Sequence, residues 1–380
     1  MKVLIVGAGV AGLALGSFLR DSDIEYDIVE KMPDWKAQGF LVAIWDSGRD
    51  ILKKLGLADA FDTAGGKVDH YSIRNGEGAE LRNIDLSHFY AAYGSAARVI
   101  ARADVHAWLV ERAGGQGRIR MGVSVRALSD EVDGVHVTFT TGEYKTYDVV
   151  VGADGVHSGV RALSFGHLIE TYEDWRIWYT WIDNVFGTPA TIVEYVEPGE
   201  FACVLGTGTR TSVWLVAPAD HRVWDDAAGR IKRLERMFKD ETVLVPAALQ
   251  QLRDQDVQPS DLAHIRLQKW SVGRVVLIGE AAHCSGPHAG LGTTLALEDG
   301  YVLAGELMQV SERYPLREAL ATYEKKRRER IYFADHLNLR IKQGTLMRSN
   351  VLRKVANVFL PYVPRRFIFG DLERLLREEI

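Results

Sequence analysis

Three glycines near the amino terminus constrain the fold more than any other feature of this 380-residue chain. Gly7 and Gly9 stand between the short apolar run KVLIV at residues 2–6 and a helical pattern at residues 11–20, and Gly12 lies at the start of that helical pattern. Glycines at this spacing permit a tight turn from a strand into a helix, and they let a pyrophosphate approach the helix amino terminus. The pattern therefore favours a dinucleotide site.

An acidic residue follows at the expected distance. The run YDIVE at residues 26–30 predicts a second strand, which completes a βαβ unit and ends in Glu30, 18 positions after Gly12. A carboxylate there can accept hydrogen bonds from ribose hydroxyls. The glycines and Glu30 together predict a Rossmann-type unit, the alternative being a glycine turn with an accidentally placed glutamate.

Composition narrows the class of protein. Hydrophobic residues make up 47% of the chain, which is enough to bury a large core, and a net charge of −5 provides no global field for a nucleic-acid backbone. No signal peptide and no apolar run of membrane-spanning length are present, so we expect a soluble, cytoplasmic protein. Cys203 and Cys284 are too few and too far apart for a disulfide framework or a metal site, and we expect two buried thiols and no metal.

The order of the predicted elements indicates an α/β fold with discontinuous lobes. A Rossmann-type lobe takes residues 1–164 and 271–330, an inserted and mostly antiparallel β-sheet lobe takes residues 165–270, and a C-terminal helical segment takes residues 331–380. Within this scheme, residues 46–61 have helical spacing with Gly56 as a stop, and residues 293–308 form a further helix.

Two later motifs carry a family resemblance. VGADG, with Asp154 and Gly155, ends a buried strand, and GEAAHCSGPHAGLG at residues 279–292 opens toward a helix. With RADVHAWL at residues 102–109, they resemble the class A FAD-dependent aromatic monooxygenases, the group of para-hydroxybenzoate hydroxylase and the tetracycline-inactivating monooxygenase. The resemblance covers most of the chain and is weakest across residues 165–270. It implies that the Rossmann lobe binds FAD and that the inserted lobe binds substrate.

The resemblance also implies cofactor-binding roles. Arg102 would contact the flavin or its phosphates, Asp154 would help to hold FAD and the nicotinamide donor, and the backbone of Val125 would meet the adenine. Glu280, after Gly279, would hold the ribityl chain or pyrophosphate. The stretch beside the isoalloxazine would comprise Pro287, Gly290, Leu291 and Gly292.

Two positions depart from the family pattern. Glu280 stands where relatives usually have aspartate, so the carboxylate must fold back or shift the cofactor. Lys31 stands where an arginine commonly follows the ribose-binding acid, and lysine keeps the charge but loses the bidentate fork.

The activity implied is a monooxygenase reaction. NADH or NADPH reduces FAD, O2 adds to give a flavin peroxide, and an aromatic or polycyclic molecule is hydroxylated or epoxidised. A flavin-dependent reductase or dehydrogenase without oxygen insertion, a plain NAD dehydrogenase and a non-catalytic module that has lost its cofactor remain alternatives. No catalytic acid or base can be named, and either a monomer or a homodimer fits.

Three further features stay open or are assigned no function. The aromatic residues between 172 and 181 either line a substrate cavity or form sheet core, because alternation puts half of them on each face. His283 has no identifiable partner acid and receives no catalytic role. A helix that starts near Thr293 would direct its positive end at a reduced flavin.

The C-terminal stretch from Val351 to Phe369 mixes apolar and basic residues, a pattern that can bind an anionic membrane surface. Pro361 and Pro364 interrupt it before a long amphipathic face develops. We therefore expect this segment to pack on the protein's own surface, without membrane contact.

Overall fold

The computed structural model describes residues 1–35, 40–87, 97–166, 171–183, 191–206, 210–377 and 380. Its strands, in chain order, are β1 Lys2–Val6, β2 Glu25–Glu30, β3 Leu41–Ile44, β4 Gly66–Lys67, β5 His70–Arg74, β6 Glu80–Asp85, β7 Arg98–Ala101, β8 Ile119–Met121, β9 Val125–Glu131, β10 Gly134–Phe139, β11 Tyr144–Tyr147, β12 Val149–Gly152, β13 Thr171–Asp183, β14 Thr191–Glu197, β15 Glu200–Gly206, β16 Arg210–Pro218, β17 Gln258–Arg266, β18 Ser271–Val272, β19 Val275–Leu277 and β20 His283–Cys284.

The α-helices of these described residues are α1 Val10–Leu19, α2 Asp46–Lys54, α3 Ala58–Ala64, α4 Arg102–Arg112, α5 Gly159–Phe165, α6 Arg230–Met237, α7 Leu244–Leu249, α8 Gly292–Met308, α9 Leu316–Thr345, α10 Asn350–Phe359 and α11 Arg365–Arg377. The predicted α/β fold class, with a Rossmann-type lobe, an antiparallel sheet and C-terminal helices, is confirmed.

The Rossmann-type lobe is built on a six-stranded sheet with the order β18–β19–β12–β1–β2–β8. Strand β1 pairs in parallel with β2 on one side and with β12 on the other. Val3, Leu4 and Ile5 are fully buried because α1 and the small sheet of β9, β10 and β11 pack against this sheet. Burial explains why β1 reads as an unbroken apolar run.

The winding of this sheet reverses at β1, since the next strand in sequence lies on one side of it and β12 on the other. Ligands of such sheets bind beyond the carboxyl ends of the strands at this switch point. Gly7, Glu30, Ala153 and Gly279 stand at or just after the carboxyl ends of β1, β2, β12 and β19. The topology therefore brings four of the sequence motifs to one edge.

A second, eight-stranded sheet has the order β20–β17–β13–β16–β15–β14–β5–β6. Its pairings are antiparallel except that of β14 with β5. Two of its strands, β5 and β6, come from before residue 165, and α9 runs without a break through the proposed boundary at residues 330 and 331. The division of the chain into lobes stays a prediction.

The C-terminal helices complete the described structure. Helix α9 packs against α8 and α11. In the part of the chain that the structure describes, no helix is both long and apolar enough to cross a membrane. The same residues contain no cluster of three or more His, Cys, Asp or Glu side chains placed to hold a metal ion.

Candidate active site

A cavity of about 670 Å³ opens at the switch point, between the carboxyl edge of the parallel sheet and one face of the large sheet. Most of the cofactor-binding residues predicted from the sequence line it: Gly7, Gly9, Glu30, Lys31, Arg102, Asp154, Gly279, Glu280, Pro287, Gly290, Leu291 and Gly292. Gly12 and Val125 do not line it. Ser124, the residue before Val125, does. Residues from six separate stretches of sequence therefore meet around one space.

The glycine loop is shaped by close backbone packing. Gly7 has φ +106°, and a Cβ there would lie 2.4 Å from the carbonyl oxygen of Ala153. Gly12 lies behind the loop, where a Cβ would come within 2.1 Å of the Gly7 oxygen. A Cβ on Gly9 would meet nothing within 4 Å, because this glycine faces the cavity. The loop therefore leaves open space where a ligand could approach the backbone.

Gly9 is also the N-cap of α1, and no side chain caps this helix end. The first N–H groups of a helix lack intrahelical partners and carry its partial positive charge. An anionic group at this position would satisfy them, so the site suits a pyrophosphate.

The carboxylate of Glu30 is oriented by two backbone donors. Oε2 accepts from the N–H of Ala8 at 2.9 Å, and Oε1 accepts from the N–H of Met32 at 3.0 Å. Each carboxylate oxygen has a further lone pair, which leaves capacity for ribose hydroxyls. Lys31 is exposed beside it and also lines the cavity.

A histidine that the sequence interpretation did not single out supports the glycine loop. His106 Nε2 lies 2.9 Å from the carbonyl oxygen of Ala8, and the ring packs against Trp35 with 4.7 Å between centroids. Burial lowers the pKa of His106, which favours a neutral ring that donates to this carbonyl. His106 follows Arg102 by four residues, and this helical spacing is the signal that could have found it.

Arg102 begins α4 next to the cavity. Its guanidinium carbon lies 5.6 Å from the centre of the Phe40 ring, and its backbone N–H donates to the Phe40 oxygen at 3.1 Å. Among the described residues it forms no ion pair with a carboxylate. An arginine in this state can bind an anionic ligand without losing an existing salt bridge.

Asp154 has an internal role. Its carboxylate accepts hydrogen bonds from Ser158 Oγ and, at 3.1 Å, from the N–H of Val160. These contacts fix the turn that leads from β12 into α5. The predicted contacts of Asp154 with FAD and the nicotinamide donor stay a prediction, and they would use its remaining lone pairs.

Gly279 and Glu280 lie on a short 3-10 turn after β19. Gly279 has φ +59°, and its N–H donates to Asp299 Oδ2 at 2.8 Å. Glu280 is exposed at the cavity wall, and within the described residues its carboxylate forms no hydrogen bond or salt bridge. It is therefore available to a ligand, although it carries one methylene more than the expected aspartate.

His283 does have a partner acid, which corrects the sequence interpretation. Its Nε2 lies 2.7 Å from Oδ2 of the fully buried Asp299, which stands 16 residues later on α8. Burial would raise the pKa of Asp299, but the charges of His283 and Arg327 outweigh that effect and bring it to about 2. Asp299 is thus an anion that holds both His283 and the Gly279 turn. The pair of His283 and Asp299 was not predicted because the two residues lie 16 positions apart on different elements.

Asp299 belongs to a buried ion network that joins α8 to α9. Arg327 Nε lies 2.7 Å from Asp299 Oδ1, and Arg327 Nη1 lies 2.7 Å from Glu298 Oε2. Arg330 Nη2 contacts Glu298 Oε1 at 2.8 Å, and Ser47 donates to the same oxygen at 2.6 Å. Paired charges of this kind tolerate burial, whereas a single one would not.

The amino end of α8 faces the predicted flavin loop. Leu291 is its N-cap without a side-chain cap, and Gly292 and Thr293 line the cavity. Trp45 fixes the loop, since its Nε1 donates to the Gly290 oxygen at 3.2 Å and its backbone N–H donates to Thr294 Oγ1 at 3.1 Å. As at α1, the positive end of a helix points into the cavity.

Aromatic side chains form the opposite wall. The Phe40 ring contacts those of Tyr179 and Trp214, with 5.0 and 6.0 Å between centroids. Trp178 points to the other face of the sheet, where its Nε1 donates to Asp225 at 3.0 Å. Two of the five aromatic residues between 172 and 181 are thereby assigned, because alternation along β13 places Tyr179 at the cavity and Trp178 in the sheet core.

The same cross-strand row contains a buried acid. Tyr179 pairs with Trp214, Trp214 with Cys203, and Cys203 with Glu194. Burial raises the pKa of Glu194 to about 7, the hydrogen bond from Tyr71 opposes this rise, and Oε2 has no hydrogen-bond partner in the structure. Sequence patterns gave no sign of it, since Glu194 stands in an ordinary strand run.

Both cysteines are free thiols. Cys203 is buried in the large sheet, while Cys284 lines the cavity and donates from Sγ to the Ala263 oxygen at 3.3 Å. Burial raises the pKa of the Cys284 thiol to about 12. Neither thiol is activated as a nucleophile.

Comparison with known proteins agrees with this geometry. The model of the FAD binding domain family matches residues 1–333. The FAD-dependent urate hydroxylase of Klebsiella pneumoniae is 26% identical over 352 residues, with 87% of each chain covered. The aurachin C monooxygenase/isomerase of Stigmatella aurantiaca is 29% identical over 333 residues, covering 87% of this chain and 86% of its own.

A solved structure has the same fold. The crystal structure of Klebsiella pneumoniae HpxO complexed with FAD and uric acid superposes with a TM-score of 0.90 at 24% identity, covering 99% of this chain and 97% of that one. The chain belongs to the FAD-binding domain family and is an FAD-dependent oxidoreductase of the monooxygenase class. The predicted family, enzyme class and FAD cofactor are confirmed.

Proposed function

We propose that this protein binds FAD along the cavity and, with NADH or NADPH and O2, hydroxylates or epoxidises an aromatic or polycyclic molecule held against Phe40, Tyr179 and Trp214. The main support for this proposal is the composition of the cavity. It joins an uncapped glycine-loop helix, the carboxylate of Glu30, a second uncapped helix end and an aromatic wall.

The residues fit FAD from end to end. Glu30 and Lys31 would bind the adenosine ribose, with Ser124 and Val125 beside the adenine, and the amino end of α1 would bind the pyrophosphate. When bound, FAD accepts a hydride from NAD(P)H and passes one oxygen atom of O2 to the substrate, while the other leaves as water.

At the other end of the cavity, the stretch from Pro287 to Gly292 would lie beside the isoalloxazine. The amino end of α8 stabilises negative charge there because its N–H groups have no side-chain cap. Arg102 adds a second positive charge near the same space. No side chain has to donate or accept a proton for this electrostatic role.

The substrate class follows from the opposite wall. Phe40, Tyr179 and Trp214 present ring faces and edges, and Ile177 and Leu262 add apolar surface. Such a wall binds flat apolar rings and keeps water from the reacting atoms. The relatives are named for urate and aurachin C, which supports an aromatic ring system as substrate without choosing one.

We also propose a cytoplasmic location and a monomer or homodimer. Both cysteines are unpaired, and free thiols are usual in a reducing compartment.

Purified protein should be yellow and should oxidise NADH or NADPH with phenols, quinolones or polycyclic aromatics, taking up O2 and adding one oxygen atom to the product. Tyr179→Leu should raise KM for the accepted substrate about tenfold, by loss of ring contacts. Trp178→Phe, on the opposite face, should leave KM unchanged. Substrate oxidation without O2 uptake would support a flavin-dependent dehydrogenase instead, and protein that binds no flavin would exclude both.

A further inference from the structure

Helix α10 has its apolar side turned toward solvent. Val351, Leu352, Val355, Val358 and Phe359 are between 48% and 70% exposed. With 3.6 residues per turn they occupy one sector of about 120°. A surface helix of a soluble domain normally buries such a sector in the core. In α10 the apolar sector faces solvent, and the opposite side of the helix packs on the protein.

The buried side of α10 contains a charge. Arg353 is 5% exposed and donates to the carbonyl oxygens of Gly344 at 2.8 Å and Thr345 at 2.6 Å, at the end of α9. Ser349 caps the helix by accepting from the N–H of Leu352 at 3.3 Å. These contacts fix the rotation of the helix, so the outward direction of its apolar sector is built into the fold.

The turn after α10 is fixed in the same way. Arg82 on β6 donates to the carbonyl oxygens of Pro361 and, at 3.3 Å, of Val363. Tyr362 in this turn is 80% exposed, and Phe367 at the start of α11 is 60% exposed. The exposed apolar surface, from Val351 to Phe367, is here named the C-terminal patch.

The stretch of sequence that contains the C-terminal patch is basic. The chain as a whole carries −5, yet residues 336–370 contain no aspartate or glutamate. Arg340, Lys342 and Arg365 are neutralised by carboxylates from outside this stretch. The remaining exposed cations are Arg348, Lys354 and Arg366, which form no ion pair within the described residues.

The exposed apolar side chains and the unpaired cations together favour one kind of binding partner. A two-fold contact with a second copy would bring these unpaired cations against each other, and like charges disfavour that arrangement. An anionic lipid surface accepts apolar side chains below its headgroups and attracts cations at them. Tyrosine is suited to the boundary between the two.

We propose that the C-terminal patch docks this protein on an anionic membrane surface, with α10 lying in the interface plane. This differs from the expectation that Pro361 and Pro364 prevent such a contact. Helix α10 is complete at Phe359, before the first proline, and both prolines lie in the turn that leads to α11. The prolines therefore divide the patch without removing its apolar face.

The test uses the full-length protein and sedimentation with vesicles of phosphatidylcholine alone or mixed with phosphatidylglycerol. The parent should co-pellet with the anionic vesicles and much less with the neutral ones. Val358→Ser with Phe359→Ser should lower the partition coefficient at least about tenfold. Lys354→Gln and Arg366→Gln should each lower it about fivefold, and high salt should mimic them.

Trp224→Ser is the matched control, because Trp224 is 88% exposed and far along the chain from the patch. It should bind vesicles as the parent does, and all variants should keep the parent's flavin absorbance and thermal unfolding. Failure of the parent to co-pellet at any composition overturns the proposal. A dimer in sedimentation equilibrium that Val358→Ser with Phe359→Ser abolishes would also overturn it, since a second copy would then cover the patch.

Discussion

His283 and Asp299 form a hydrogen bond of 2.7 Å that ties the cavity wall to the buried ion network between α8 and α9. The same Asp299 oxygen accepts from the N–H of Gly279, so one carboxylate fixes both sides of the 3-10 turn that presents Glu280. Loss of this anion should therefore disturb the proposed flavin site and the helix packing together.

Asp299→Asn should cost about 3–5 kcal/mol in the free energy of unfolding, because Arg327 would lose a buried partner. Asp371→Asn is the control. It breaks the exposed pair with Arg340 and should cost less than about 1 kcal/mol. Urea unfolding of both apoproteins provides the comparison. Equal costs would mean that the buried network contributes no more than a surface ion pair.

Two substitutions in the glycine loop should distinguish an effect on folding from an effect on cofactor binding. Gly12→Val should destabilise the fold and abolish flavin retention, because its Cβ would meet the Gly7 oxygen at 2.1 Å. Gly9→Ala should fold normally, since its Cβ meets nothing within 4 Å, yet weaken FAD binding by occupying the space for the pyrophosphate. Thermal unfolding and flavin content distinguish them. Full flavin in a folded Gly12→Val protein would contradict the assignment.

Substitutions of Glu280 test whether the glutamate that replaces the family's usual aspartate contacts FAD. Glu280→Asp should retain or strengthen FAD binding, since the shorter carboxylate need not fold back. Glu280→Ala should weaken it by about 1.5–3 kcal/mol, the range for a hydrogen bond to a charged group. Isothermal titration of the apoproteins with FAD measures both. If the alanine variant binds as tightly as the parent, Glu280 does not contact the cofactor.

Glu194 should make stability fall as pH rises. Its folded pKa of about 7 lies above the usual 4.5, so between these values the unfolded chain has lost a proton that the folded protein still holds. The contribution of Glu194 to stability is therefore largest below pH 4.5 and declines by about 3 kcal/mol up to pH 7. Glu194→Gln should lack this decline. Urea unfolding of parent and variant across the range gives the difference, and identical pH profiles would refute it.

Local patterns predicted the parts of the fold that local chemistry determines. The glycine loop, β2 with Glu30, and the helix that begins at Gly292 all appear where expected. Gly56 has φ +74° and separates α2 from α3, as a helix stop should. In each case the signal lies within a few residues of the feature that it determines.

Features that depend on tertiary packing were not predictable in this way. His283 needs an acid from another element, and Glu194 becomes unusual only because neighbouring strands bury it. The periodicity of α10 shows that one side is apolar but not which way that side points, which Arg353 decides through its contacts with α9. These features are determined by contacts between elements that lie far apart in the sequence.

The raised pKa of Cys284 protects its thiol from oxidation. Oxidants attack the thiolate form of cysteine, and a thiolate on the wall of a cavity that uses oxygen, as we propose for this one, would be converted to sulfenic or sulfinic acid. With a pKa of about 12, Cys284 is almost wholly protonated at neutral pH, and its hydrogen bond to Ala263 occupies the proton. Under the proposed function, the cavity can thus hold a cysteine beside the reacting groups without oxidation of the thiol.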